Sequence, residues 1–216
     1  MKFHDIDGPY LLFLGEAGSA EADVGAKTAE GVYFWRPEAC VGQQRLPGAN
    51  LDLGLPDMTA EAAASAGAKT MIVGVANRGG RISEAWKPYL LAALDAGLDL
   101  ASGLHMKLAD IAEVRETAAR LGRKLHDVRH WTGPQLPVGE GRFRPGKRVL
   151  MIGTDCAVGK NFTALAVEAE LRRRGIKATF RATGQTGVLI AGEGIAIDAV
   201  PADFISGAVE MLTPDN

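Results

Sequence analysis

The feature that most limits how this chain can fold is its alternation of short apolar runs with longer amphipathic segments, many of them bounded by glycine or proline. Strands buried on both faces of a parallel sheet read as such runs, and the crossovers between them are long enough to be helices. Residues 10–14 read as a buried strand closed by Gly15, and residues 70–75, 98–104 and 124–128 read as further strands. Between them, residues 26–35 form a helical stretch that Pro37 stops. Residues 59–66 form another, with Thr59 as N-cap and Glu61 in the first turn, where it complements the helix dipole. Residues 83–96 continue the pattern from Ser83 to Gly97, with Pro88 as the awkward residue, and residues 108–121 end at Gly122.

The period is lost over residues 131–147, which hold Pro134, Pro137 and Pro145 and read as a linker. Residues 1–130 are therefore expected to form a Rossmann-like α/β domain and residues 148–216 the first part of a second α/β unit. In that unit residues 148–152 and 177–182 are expected strands, residues 161–174 a helix and residues 202–212 another. An open parallel sheet usually has about five strands. The second unit is thus expected either to dock on the first to complete one sheet or to continue past Asn216, and continuation is the preferred expectation.

Apolar residues make up 47% of the 216 and charged residues 23%, with a formal net charge of −2. That balance gives no footprint for nucleic acid or an acidic membrane surface. The two cysteines, Cys40 and Cys156, make no disulfide framework, and no apolar run is long enough for a helical span. The expectation is a cytoplasmic protein that acts on small molecules, with a homodimer as the prior for its assembly.

One stretch carries a chemical signature. The run Val149-Leu150-Met151-Ile152 is followed by Gly153-Thr154-Asp155-Cys156-Ala157-Val158-Gly159-Lys160-Asn161 and then by the expected helix. A strand, a glycine-bounded loop and a helix N-terminus bring backbone N–H groups together on an oxyanion, and Lys160 adds a mobile positive charge. Five residues separate Gly153 from Gly159, one more than the usual phosphate loop, and Thr154 stands where its first glycine falls. Nucleotide hydrolases place a hydroxyl after the lysine to hold magnesium. Here that residue is Asn161, and Thr163 lies about 200° round the helix from it. The loop therefore points to phosphate binding more than to phosphate chemistry. Within it, Asp155 either acts as a base or shapes the turn. Cys156 reads as a small packed residue or as a thiolate favoured by the helix end.

Other candidates follow strand ends. Arg181 to Gly187 is polar and follows an expected strand; Arg181 can clamp a carboxylate, and Thr183, Gln185 and Thr186 supply hydrogen bonds. Asn77 and Arg78, with Gly79 and Gly80, form a second candidate anion turn. His105 ends Ser102-Gly103-Leu104-His105 and is either a catalytic imidazole or a structural one. Asp198 and Asp203 bracket an apolar run, with an N-cap as the plain role for Asp203. His126 and His130 do not make a helical metal pair, and no metal site is expected.

Several longer strings add a resemblance. They include the run from Pro9 to Gly15, Ala26-Lys27-Thr28-Ala29, Trp35-Arg36-Pro37-Glu38 and the run from Gly74 to Gly80. Gly97 to His105, Gly153-Thr154-Asp155-Cys156 and Phe180 to Gly187 complete the set. Together they resemble the D-glutamate N-acetyltransferase family, formerly filed as a domain of unknown function. The resemblance implies a Rossmann-like N-terminal domain joined to a P-loop NTPase-like α/β domain, and transfer of acetyl from acetyl-CoA to the amino group of D-glutamate. No permanently bound cofactor is implied. The resemblance identifies the motifs and not each residue's job; on the residues themselves, Gly153, Thr154, Cys156, Val158, Gly159, Lys160 and Asn161 are expected to hold the phosphates of coenzyme A, and Asp155 or His105 to take a proton. Asn77, Arg78, Arg181, Thr183, Gln185 and Thr186 then face the substrate. The loop also resembles that of dethiobiotin synthetase, where a threonine follows the lysine, so an ATP- and magnesium-dependent ligase or kinase is the alternative. A non-catalytic nucleotide-binding module is the third.

Overall fold

The computed structural model describes residues 5–19, 24–141, 143, 145–155 and 158–213. In chain order its elements begin with β1 (Tyr10–Gly15), β2 (Val24–Gly25), α1 (Lys27–Trp35), β3 (Cys40–Arg45) and α2 (Ala60–Ser65). They continue with β4 (Thr70–Val73), β5 (Ala76–Asn77), α3 (Lys87–Asp95), β6 (Asp99–Ser102), α4 (Ala112–Leu121) and β7 (Leu125–Asp127). After a long irregular stretch come α5 (Lys160–Arg173), α6 (Gln185–Ala191) and α7 (Ile205–Leu212).

Five strands form one parallel sheet in the order β3-β1-β4-β6-β7. Its central strands are buried on both faces, so their alternate side chains feed two cores. On one face Leu11, Phe13, Met71, Val73 and Leu100 pack against α2, α3 and α4 through Ala63, Leu90, Leu94 and Val114. On the other, Leu12, Leu14, Ile72 and Ala101 meet α1. That second layer is completed by the chain's C-terminal part, through Leu165 of α5 and Val188, Leu189 and Ile190 of α6. The second unit does dock on the first, as a helical layer over the sheet and not as added strands.

Local chemistry accounts for most of the boundaries. The Thr59 hydroxyl accepts from the Ala62 N–H, and Ser83 caps a short 3-10 turn at Glu84–Trp86. The awkward Pro88 lies in the first turn of α3, where its missing N–H has no intrahelical partner to lose. Gly122 ends α4 in the left-handed conformation.

Three expectations are corrected. Residues 148–152 and 177–182 carry strand-like sequences but do not form strands; Ala182 makes only an isolated bridge to Gly194. Val149, Leu150 and Ile152 are 73%, 78% and 84% exposed, because no neighbouring strand pairs with them. A strand exists only through its partners. The expected linker is also more than a spacer. Leu136 joins a small third core with Ile195, Val200, Ala208 and Leu212, with Trp131 packed on it.

That third core depends on a close backbone approach. A Cβ on Gly207 of α7 would lie 1.8 Å from the carbonyl oxygen of Pro137. Gly207→Ala is therefore expected to push α7 off the 136–139 segment and to destabilise the protein by roughly 1–3 kcal/mol, as overpacking does. A urea melt of the variant that matches the unsubstituted protein would rule this out.

Candidate functional site

Two polar regions carry the candidate residues. The first is the glycine-bounded loop. Gly159 caps α5 in the left-handed conformation, φ 98°, so that Lys160 opens the helix. The Lys160 ammonium folds back over the loop and donates to the carbonyl oxygen of Asp155. This wrap needs glycine at 153: a Cβ there would lie 3.1 Å from both Cγ and Cδ of Lys160 and 2.8 Å from Val158. Thr154, Asp155 and Val158 are exposed around it, and Cys156 lies outside the described residues. Asn161 does not face the loop's anion position. Its side-chain oxygen would lie 2.8 Å from a Cβ on Gly187, which places it in the seam against α6. Thr163 donates its hydroxyl to the Gly159 carbonyl at 3.1 Å.

The second region is the carboxyl-end crest of the sheet. Counting only its own strands, the order is second, first, third, fourth, fifth, so connections change direction between β1 and β4. Ligands of open α/β sheets bind outside the strand carboxyl ends at that point. Glu16 follows β1, and its carboxylate accepts the indole N–H of fully buried Trp86 at 2.5 Å. The turn after β5 is closed by Asn77, whose amide donates to the Arg81 carbonyl at 2.8 Å and accepts from the Arg81 N–H at 3.0 Å. Arg78 stands exposed on that turn. His105 follows β6, is exposed, and gives its backbone carbonyl to His130 at 2.9 Å. Trp131, Leu136 and Phe204 line an adjoining cleft of about 390 Å³, with Lys107 and His130 at its polar side.

The segment carrying Thr183, Gln185 and Thr186 is not only a turn: α6 begins at Gln185 and lays these residues on the crest. Thr186 shares a hydroxyl contact of 3.2 Å with Thr28 at the start of α1. Gln185 sits on Gly103, where a Cβ would come 2.6 Å from its Cγ. Thr183 is exposed, with its carbonyl taken by the Ile197 N–H at 3.1 Å. Arg181 is ion-paired with Glu193, so its charge is spent inside the second unit. Asp155 and Lys160 thus belong to the loop, while Asn77, Arg78, His105, Gln185 and Thr186 gather at the crest.

Two residues of this region carry no motif. Buried Arg129 donates to the Gly103 carbonyl at 2.8 Å and pairs with Asp198, tying the end of β6 to the second unit. Glu16 is the other, and the only sequence signal for it is its place directly after a glycine-closed strand. Nearby, burial pushes the Asp127 carboxyl up, against the downward pull of the Leu108 and Ala109 N–H groups it accepts. Burial pushes the Cys40 thiol up to about 12. Among the described residues no cluster of three or more His, Cys, Asp or Glu is placed to hold a metal ion, and no helix is long and apolar enough to cross a membrane.

Residues 40–131 match a family model described as the Rossmann-like N-terminal domain of DUF1611, a domain of unknown function. Residues 137–216 match the model of its C-terminal P-loop domain. The chain belongs to the DUF1611 family. Within it, a protein of Tritonibacter scottomollicae named D-glutamate N-acetyltransferase is 56% identical over 98% of this chain and 62% of its own length. A protein of that name from a Pseudoalteromonas species is 42% identical over 97% of this chain and 62% of its own. The crystal structure of a DUF1611 protein from Anabaena variabilis superposes with a TM-score of 0.79 at 31% identity, covering 95% of this chain and 62% of that one. This DUF1611 chain thus spans about three fifths of the length of these relatives.

Proposed function

We propose that the protein is an N-acetyltransferase that moves the acetyl group of acetyl-CoA to the amino group of D-glutamate. The observation that carries this reading is the 56% identity, over nearly the whole chain, to a relative bearing that name. The loop supports it. Coenzyme A presents a pyrophosphate and a 3′-phosphate, which backbone N–H groups and Lys160 can grip without any bond to phosphorus being broken. Magnesium is then not required at the position after the lysine, and the seam location of Asn161 fits that.

In this reading the acceptor lies at the crest. Arg78 or Arg181 is assigned to a substrate carboxylate, with Arg181 also paired to Glu193. The free amine attacks the thioester carbonyl carbon, the C–S bond breaks, and the thiolate leaves as the thiol after taking up a proton. His105 is assigned as the group that takes the amine's proton, since it stands exposed at the strand ends, directly after β6. Asp155, inside the phosphate loop, is assigned to shaping that loop.

Acetyl-CoA incubated with D-glutamate and the protein made from its whole coding sequence is expected to release free thiol in step with N-acetylglutamate. No thiol release with either glutamate enantiomer would refute the reading. Magnesium-dependent ADP formation from ATP would replace it with ligase or kinase chemistry.

A further inference from the structure

We infer that Glu16 is the subsite for the substrate's ammonium group. The inference rests on the acetyl-transfer reading and names, within it, which residue marks the amine end of the acceptor. Glu16 stands at the first carboxyl end beside the point where the sheet's connections change direction, the position at which such sheets receive ligands. It is half-buried, and its described side-chain partner is the Trp86 indole at 2.5 Å. Among the described residues no Lys, Arg or His pairs with it.

A buried indole N–H needs only an acceptor, and a neutral amide or backbone carbonyl would serve. Withdrawing a carboxylate from water carries a cost that a neutral acceptor avoids. No cation among the described residues meets the charge at this position. An amino-acid acceptor brings one. The indole leaves the second carboxylate oxygen available and, being fixed in the core beside Phe13, holds its direction constant. A carboxylate at this point is what separates an amino dicarboxylate from a plain dicarboxylate, since only the former brings an ammonium group to it.

The test compares D-glutamate with glutarate, the same dicarboxylate without the amine, by isothermal titration of the whole protein. The unsubstituted protein is expected to prefer D-glutamate roughly 10- to 100-fold, the worth of one hydrogen-bonded charge. Glu16→Gln keeps an acceptor for Trp86 and is expected to bring the two affinities together while acetyl-CoA binding is unchanged. Trp86→Phe, which frees the carboxylate without removing it, is expected to reduce the preference in part. A preference that survives Glu16→Gln overturns the assignment, as does a variant that loses glutarate and acetyl-CoA along with D-glutamate. Thiol release with D-glutamate and an unchanged preference would overturn this assignment alone. Absence of thiol release would overturn the reading beneath it.

Discussion

Replacing Lys160 by alanine is expected to weaken acetyl-CoA binding roughly 10- to 100-fold, the usual loss when one charge-assisted contact to phosphate is removed. The fold should survive, because the side chain touches the loop and not the core: its ammonium folds onto the Asp155 carbonyl across Gly153. That contact holds the lysine over the loop, and under the proposal a phosphate oxygen would replace the carbonyl as its acceptor. Titration with acetyl-CoA decides the matter, and an unchanged dissociation constant would remove the loop from donor binding. Raised salt is expected to narrow the gap between the two proteins, since the contact is largely electrostatic and exposed on one side.

Trp86→Ala carries the largest expected cost in stability, about 3–5 kcal/mol, the range for truncating a fully buried large aromatic side chain. The ring is 0% exposed and meets Phe13 edge-on with centroids 5.9 Å apart. Its loss leaves a cavity under the first core and unties Glu16 in the same step. Urea unfolding should show a lower midpoint at a similar slope. A shift corresponding to less than about 1 kcal/mol would mean that the layer between β1 and α3 collapses to fill the space.

The first unit was readable in the sequence because its strands are buried on both faces and its turns are chemically marked. Residues 10–14 and 70–73 have no polar face to disguise them, and Gly15, Gly97 and Gly122 stand where elements end. β3 went unread because Cys40–Arg45 is polar at its centre. Gln43 is fully buried yet satisfied, donating to Asp52 at 2.7 Å and accepting from the Leu53 N–H at 2.9 Å, a solution supplied by a loop ten residues on. α6 was hidden for a related reason: Gly184 to Gly187 reads as a turn, and the helix is held by Val188 to Ile190 on a sheet made by the first unit. The strand-like runs at 148–152 and 177–182 erred the other way, since pairing is a property of two segments and sequence shows one.

At the site, the loop declared itself through the spacing of Gly153, Gly159 and Lys160. Asn77, Arg78, His105, Gln185 and Thr186 of the crest were marked by following expected strand ends, whereas Glu16 carries no motif. Glu16 acquires its meaning from Trp86, seventy positions away, and no local pattern encodes that distance.

Gly103 has one more implication. With Gln185 seated where a side chain would be and Arg129 clamped to Asp198 beside it, two contacts join the end of β6 to the second unit. Enzymes that close around their substrates set the gap between donor and acceptor anew in each turnover. Under the acetyl-transfer proposal these contacts would help set that gap, so a methyl group added at Gly103 would act as a spacer. It would lengthen the reach between the two substrates while leaving each binding region's own residues in place.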